Sequence, residues 1–207
     1  MMRKSKFARK VGAILLVALY IFFLSACNSH KKDIQKVIEK MQSAIINIPY
    51  ERMECWSSDS VLEVSPWNKA KLKMVHYVDS ATCSSCYLQK IVVNRFLFEM
   101  ETLSNNEFYN IFIINPDSKA KKMLESKYSE NLIPQTIFVD SANVFMEVNP
   151  NIPSESMYHT FMLDENNKVI LVGNPMLNKQ IEDMMLSIVE EKLGKSLIQQ
   201  SRLANNE

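Results

Sequence analysis

The spacing of apolar residues divides the chain into alternating strands and helices from Leu72 onward. Continuous or alternating apolar runs predict five strands. These are Leu72–Val78, Phe108–Ile114, Thr136–Val139, Tyr158–Leu163 and Lys168–Val172. Helical spacing predicts helices at Cys83–Leu103 and Ser118–Ser129, and a last one that begins after Asn178 and stops at Gly194. The order β-α-β-α-β-β-β-α predicts an α/β fold with a central mixed sheet flanked by helices.

Polar residues between these runs supply the expected helix caps and turns. Asp117 and Asn178 are suited to cap the helices that follow them. The turn Asp164–Asn167 joins the last two strands as a hairpin, because asparagine tolerates positive φ. The apolar faces are expected to be buried: Ala120, Met123, Leu124 and Tyr128 in one helix, and Ile181, Met184, Met185, Ile188, Val189 and Leu193 in the last.

The region before Leu72 is less regular. Apolar residues from Ile34 to Ile45 predict a helix over Asp33–Asn47 that packs on the domain and ends before Pro49. The stretch Tyr50–Ala70 shows little pattern, and Trp56 and Trp67 are expected to cover the edge of the core. Cys55 has no local motif, and we interpret it as a buried or half-buried thiol.

The first 26 residues have the pattern of an export signal. A basic stretch from Arg3 to Lys10 precedes the apolar run Val11–Leu24, which is short for a membrane-spanning helix. The sequence Leu24–Cys27 resembles a bacterial lipobox, which implies cleavage before Cys27 and attachment of a lipid to its sulfur. An uncleaved anchor is the alternative. Either way, the remainder is exported to a compartment where disulfides form, in the periplasm or elsewhere in the cell envelope.

Charge and composition then narrow the function. The chain has 24 basic and 23 acidic residues. The signal holds five basic residues and no acidic one, so the mature chain has 19 and 23, a net charge of −4. Nucleic acid is therefore not an expected partner. Three glycines leave no phosphate-binding loop. We expect four segments: signal 1–26, tether and helical extension 27–71, main domain 72–194 and a frayed tail 195–207.

Cys83 and Cys86 stand between the first long strand and its helix. A cysteine at a helix N-terminus is favoured as thiolate by unpaired backbone amides and the helix dipole, and a second one turn later can close a disulfide. The spacing Cys83-Ser84-Ser85-Cys86 therefore predicts a thiol–disulfide site. Haem attachment would need histidine where Tyr87 stands, and structural zinc would need a second ligand pair. A structural disulfide that never exchanges stays open.

Around this motif the chain resembles the thioredoxin fold in its TlpA-like or AhpC/TSA-like form, which inserts a strand before the final hairpin. The resemblance rests on four stretches: Cys83–Cys86, Pro134–Asp140, Thr160–Asp164 with Lys168–Ile170, and Tyr77–Ser80 with Gly173–Pro175. It implies an exported, lipid-anchored thioredoxin-like protein that exchanges electrons with protein disulfides or dithiols through Cys83 and Cys86. No cofactor or metal is expected.

Two registers compete for the position where this family places a cis-proline beside the cysteines. Pro134 fills it in one. In the favoured one, Pro134 begins the inserted strand and Tyr158 stands at the cis-proline position, with His159 next to it. The absence of that proline puts the docking of substrate peptides in question, and a binding module with a static disulfide is the alternative function.

Three further residues are candidates for auxiliary roles beside the cysteines. Tyr158 and His159 are brought there by the favoured register, and His159 would stabilise a thiolate or pass a proton. The aspartate that thioredoxin has six residues before its first cysteine is replaced by Tyr77, and Asp79 lies four residues before Cys83. Ordinary structural or solvated roles remain the alternatives for these residues, and His76 is expected to be a strand residue without chemistry.

Overall fold

The computed structural model describes residues 31–57, 67, 69–82, 87, 95–130 and 136–194. The chain divides into two compact units, residues 1–40 and Met41–Glu207. Residues 31–42 form helix α1. Within the described residues, no helix has the length and apolar character needed to span a membrane. The predicted signal sequence, Cys27 and the predicted tail after Gly194 lie outside the described residues.

The predicted helix Asp33–Asn47 is wrong at its C-terminal end. Helix α1 stops at residue 42, and Ile45 is 73% exposed instead of buried. Ile45 forms an antiparallel bridge with Lys168, and the Ile46 amide donates to the Asn167 carbonyl at 2.9 Å. Pairing with a distant hairpin therefore outweighs the local helical pattern, which the sequence alone does not reveal.

Within the described residues, six strands form one mixed sheet. They are β1 Glu54–Trp56, β2 Leu72–Val78, β3 Phe108–Ile114, β4 Ile137–Val139, β5 Thr160–Leu163 and β6 Val169–Val172. Their order across the sheet is β1-β4-β3-β2-β5-β6. Strands β2, β3 and β4 are parallel to one another, whereas β5 is antiparallel to β2, β6 to β5 and β1 to β4. The predicted α/β class with a mixed sheet is confirmed.

The sheet also decides between the two registers. Strand β5 lies beside β2, with Thr160 opposite His76, and continues through the hairpin into β6. Strand β4 lies on the far side of β3, so it is the inserted strand. Tyr158 therefore stands just before the strand next to β2, as the favoured register predicts, although Pro134 itself lies outside the described residues. The ends of β2 and β6 and the start of β5 share one end of the sheet.

Four further helices are described. They are α2 Arg95–Leu103, α3 Ser118–Ser129, α4 Val144–Val148 and α5 Lys179–Leu193. Asp117 caps α3 by accepting from the Ala120 amide at 2.7 Å, and Asn178 caps α5, as predicted. Asp140 holds the start of α4, because its carboxylate accepts from the amides of Val144 and Phe145 at 2.8 and 2.9 Å.

The core lies on both faces of the sheet. On one face, α2 and α5 cover four strands through Leu72, Met74, Met100, Phe108, Met162, Leu171, Met185, Leu186 and Val189. Nearer β4, α3 covers the same face through Leu124, which packs with Phe112 and Ile114. On the opposite face, Trp67 packs edge-on against Phe138 with ring centroids 5.1 Å apart. Trp67 is only 5% exposed, so it belongs to the core itself.

Several boundaries and faces differ from the prediction. Strand β5 begins at Thr160, because Ser156–Tyr158 form a 3-10 turn. Strand β1 was not predicted, since three residues carry too little pattern and their partner β4 lies about 80 residues away. Met123 and Met184 are 41% and 53% exposed, so the buried faces of α3 and α5 are narrower than the spacing suggested.

Candidate functional site

The predicted cysteine pair is flanked in sequence by two described residues. Residues 83–86 lie outside the described residues, whereas Thr82 before them and Tyr87 after them are described. Thr82 follows the central strand β2, and Tyr87 is helical. Thr82 and Tyr87 are thus the described residues adjacent in sequence to Cys83 and Cys86.

Asp79 holds the turn that leads to Cys83. Its Oδ1 accepts from the backbone amide and from the hydroxyl of Thr82, both at 2.8 Å. The Asp79 carbonyl accepts from the same amide at 3.1 Å. The side chain is 23% exposed, so this carboxylate is a structural element of the turn and not a fully solvated group. Aspartate is suited to the position because its short side chain mimics a backbone turn.

The second carboxylate oxygen of Asp79 faces His159. Asp79 Oδ2 lies 3.5 Å from His159 Nδ1, an ion-pair distance without hydrogen-bond geometry. His159 Nε2 lies 3.0 Å from the carbonyl oxygen of Pro153. The His159 side chain is only 4% exposed. Two of the auxiliary candidates, Asp79 and His159, are thus brought together at the base of the turn.

Tyr158 occupies the predicted position, but its backbone lies in a 3-10 turn with internal hydrogen bonds. It ends the 3-10 turn and is buried. The Tyr158 amide donates to the Glu155 carbonyl at 3.0 Å, and the His159 amide to the Ser156 carbonyl at 3.1 Å. The His159 carbonyl accepts from the Tyr77 amide at 2.9 Å. These backbone amides and this carbonyl are therefore already hydrogen-bonded within the chain.

Tyr77 stands where thioredoxin has its buried aspartate. It is buried, and its hydroxyl donates to Asn143 Oδ1 at 2.7 Å. Burial raises the pKa of Tyr77, an effect that the bond from Asn115 partly offsets. The ring also packs edge-on against His159, with centroids 5.0 Å apart. Tyr77 is therefore a neutral hydrogen-bond donor and does not replace the acid.

Tyr87, directly after Cys86, joins a buried polar cluster. Its hydroxyl lies 3.2 Å from His76 Nδ1 and 3.2 Å from Thr160 Oγ1, and it accepts from Asn174 Nδ2 at 3.4 Å. These partners come from β2, from β5 and from the loop after β6. The hydroxyl thus links Tyr87 to two strands and to the loop after β6, and burial raises the pKa of Tyr87.

His76 is the deepest member of this cluster. It is 0% exposed and stacks on Phe112, with centroids 4.8 Å apart. Burial lowers the pKa of His76 to about 3, so the ring is neutral at ordinary pH. His76 is a hydrogen-bonding strand residue, and the sequence analysis did not predict its contact with Tyr87. The one indication in the sequence was a histidine inside an otherwise apolar strand, which needs a polar partner when buried.

A second buried group lies beside this cluster. Glu101 of α2 accepts from the backbone and side-chain nitrogens of Asn110 at 3.0 and 2.9 Å. Burial raises the pKa of Glu101, and the two bonds from Asn110 act against that rise. Asn110 is nearly fully buried on β3. This pair anchors α2 to strand β3.

Cys55 does not join the site. It lies on the edge strand β1 opposite Phe138 and is exposed, so the interpretation as a buried or half-buried thiol is wrong. Its neighbours still shield the sulfur in part, and this desolvation raises the pKa of the thiol. Cys55 is therefore accessible but weakly nucleophilic. In the described part of the chain, no three acidic, histidine or cysteine residues cluster as metal ligands.

The strand order and the crossover helices define the class of this protein: an α/β protein of thioredoxin-like fold, with an inserted strand β4 and an added edge strand β1. No protein-family model matches the chain, and no curated protein matches it. One solved structure that it resembles is the bacterioferritin comigratory protein of Xanthomonas campestris, studied for alkyl peroxide reduction. The two share 12% identity over 72% of this chain and 98% of that one, with a TM-score of 0.42. A likeness of this size transfers no activity.

Proposed function

We propose that this protein is an exported, lipid-anchored thiol–disulfide oxidoreductase that acts on protein disulfides through Cys83 and Cys86. The observation that supports the proposal is the hydrogen-bonded turn that precedes the motif in sequence. The central strand β2 ends in a turn held by Asp79, the next residue after that turn is Cys83, and the start of β5 lies alongside. A rigid turn at the end of a buried strand is suited to present a nucleophile.

The chemistry needs the two thiols and a partner disulfide. The Cys83 thiolate attacks one partner sulfur, forming a mixed disulfide and releasing the other partner sulfur as thiolate. The Cys86 thiolate then attacks the Cys83 sulfur, so the partner leaves as a dithiol and Cys83–Cys86 is oxidised. Two electrons have passed to the partner, and an external dithiol must return them. The reverse sequence oxidises a partner dithiol.

The trapping experiment separates exchange from a static pair. A Cys86→Ser variant, in a Cys55→Ser background, should accumulate disulfide-linked partners that dithiothreitol releases, because the mixed disulfide is not resolved. Cys83→Ser/Cys86→Ser in the same background is the matched control and should trap none. Absence of trapping, together with a wild-type pair that strong dithiols fail to reduce, contradicts the proposal.

Lipid anchoring rests on the signal pattern and on Cys27. We expect labelled fatty acid to be incorporated into the wild-type protein and to be lost in Cys27→Ser. The wild-type protein should partition into the membrane fraction, and Cys55→Ser serves as a control that keeps the label. Equal labelling of Cys27→Ser and the wild-type protein would argue against the anchor.

A second function is favoured by the backbone before β5. The amides of Tyr158 and His159 and the carbonyl of His159 are already bonded within the chain. A partner peptide that pairs with this segment would compete with those bonds. A lipid-anchored binding module with a static Cys83–Cys86 disulfide is therefore the alternative, and trapping by Cys86→Ser excludes it.

A further inference from the structure

The chain enters the folded domain at one particular end of the sheet. Ile45 forms an antiparallel bridge with Lys168, and the Ile46 amide donates to the Asn167 carbonyl at 2.9 Å. Asn167 and Lys168 belong to the hairpin turn between β5 and β6. We call the end of the sheet that holds this turn the hairpin end. The part of the chain that precedes Ile45 is therefore connected to the domain through the hairpin end.

A buried side chain holds the entering segment in place. The Asn149 side chain accepts from the Asn47 amide at 2.9 Å and donates to the Asn47 carbonyl at 2.7 Å. The same nitrogen donates to the Phe145 carbonyl at 2.8 Å, and Asn149 is only 4% exposed. Breaking these bonds would leave buried polar groups without partners, which costs free energy. The point at which the chain enters the domain is therefore fixed.

The turn before the cysteine motif lies at the opposite end of the sheet, which we call the site end. Near the start of β2, Lys73 Nζ donates to the hairpin carbonyls of Asp164 and Glu165 at 3.2 and 3.3 Å. Asp79 comes directly after the last residue of β2 and holds the turn at Thr82. Six steps along the chain separate Lys73 from Asp79, so at about 3.3 Å per residue the two ends are about 20 Å apart.

The covalent length of the tether limits how far the hairpin end can move from a lipid on Cys27. Residues 31–42 are helical, so they span about 17 Å at about 1.5 Å per residue. The other six steps between Cys27 and Ala44 add at most about 22 Å. The hairpin end therefore stays within about 40 Å of the lipid, whereas the site end can lie about 20 Å further out.

The opposite orientation restricts the tether. Turning the site end to the bilayer forces the tether to run back along the full length of the sheet. This uses about half of its reach, and fixing the chain in that way costs conformational entropy. The orientation with the hairpin end nearer to the bilayer leaves the tether most of its freedom.

We propose that the membrane-bound protein turns its hairpin end towards the bilayer and its site end towards the water. This inference rests on the proposed lipid anchor, and it deepens the proposed function because it names the class of partner. The partners are then water-soluble exported proteins with accessible disulfides or dithiols, and not the membrane-embedded parts of proteins.

Energy transfer from a single label to the bilayer surface tests this orientation. The full-length protein keeps Cys27 for the lipid, and its three other cysteines are replaced by serine, so one introduced cysteine takes the donor fluorophore. Glu165→Cys places the donor at the hairpin end and Ser80→Cys places it at the site end, and both positions are exposed. Phosphatidylcholine vesicles that contain a headgroup-labelled acceptor lipid then report the distance of closest approach.

The donor on Glu165→Cys should lie nearer to the acceptor lipids than the donor on Ser80→Cys, by up to about 20 Å. Equal distances, or a nearer donor on Ser80→Cys, overturn the inference. Should either variant fail to fold, the exposed neighbours Asn166 and Ala81 take the cysteine instead.

A longer tether is the matched control. Inserting about 20 Gly and Ser residues after Ser29 should reduce the difference between the two donors, because a long flexible linker restricts the domain less. An unchanged difference would mean that a surface contact sets the orientation, and it would overturn the role of the tether.

The two proposals fail in different experiments. If Cys86→Ser traps partners but the two donors are equally distant from the bilayer, exchange stands and the orientation is wrong. If the donor on Glu165→Cys lies nearer but nothing is trapped, the orientation stands and the oxidoreductase is wrong. A protein that stays out of the membrane fraction contradicts the anchor and the orientation together.

Discussion

Removing the Tyr87 hydroxyl tests whether the buried polar cluster around Tyr87 stabilises the fold. Tyr87→Phe keeps the ring and deletes one oxygen that contacts His76, Thr160 and Asn174 at 3.2, 3.2 and 3.4 Å. His76 is 0% exposed and Thr160 only 4% exposed, so water does not replace the lost bonds there. Asn174 is half-buried and recovers water more easily.

The expected loss follows from these burials. A buried polar group left without a partner costs about 1–3 kcal/mol, and a solvent-accessible one costs much less. The His76 nitrogen dominates, since Thr160 can turn its hydroxyl towards another acceptor. We therefore expect Tyr87→Phe to lower the free energy of unfolding by about 2 kcal/mol. Urea unfolding followed by circular dichroism measures this loss. An unchanged slope of the free energy of unfolding against urea concentration shows that the unfolded state is the same.

Tyr128→Phe is the matched control. Among the described residues, the Tyr128 hydroxyl is buried without a hydrogen-bond partner, and the side chain packs against the core cluster that contains Leu124. Deleting that oxygen removes a desolvated group and no bond, so stability should stay within about 0.5 kcal/mol or rise. Equal losses in Tyr87→Phe and Tyr128→Phe would refute the cluster as a source of stability.

Three further predictions concern pH, backbone and thiol reactivity. Burial lowers the pKa of His76 to about 3, below its unfolded value near 6.5, so the unfolded chain binds the extra proton first. His76 should thus favour folding above about pH 6.5 and lose that effect as the pH falls towards 3. His76→Gln should therefore weaken the dependence of the free energy of unfolding on pH between about 6.5 and 3, and an unaltered dependence contradicts this prediction. Gly173→Ala should cost more in thermal unfolding than Gly194→Ala, because both have positive φ but a Cβ at Gly173 would lie 3.0 Å from Ile181; equal costs would refute the contact. Cys55 should be alkylated in the native protein more slowly than a free cysteine at neutral pH, and a fast reaction would disagree with its raised pKa.

Local sequence pattern was enough to predict the long strands, the helix caps and the hairpin turn. Long apolar strands such as β2 and β3, the Asp117 cap and the hairpin at Asn167, which has a φ of 60°, follow from periodicity and turn chemistry that act over a few residues. These features depend on neighbours in sequence. The register of β5 was predicted on a different ground, because only one of the two assignments used the whole chain.

Contacts between distant residues were not predictable in the same way. Strand β1 and the bridge of Ile45 to Lys168 need partners about 80 and 120 residues away. The polar cluster around Tyr87 joins three strand ends that only the folded sheet brings together. Asp79 and His159 were named as separate candidates, but their pairing depends on the antiparallel placement of β5 beside β2.

The segment from Ala44 to Trp56 joins the two outer strands of the sheet. It meets Lys168 at one border, and its β1 pairs with Val139, Phe138 and Ile137 at the other. A ribosome makes this segment early, yet its partners emerge much later. Such pairings close long loops, which slows folding. The segment cannot complete these pairings during synthesis until Lys168 and β4 have been made, so its strand edge has no native partner before then.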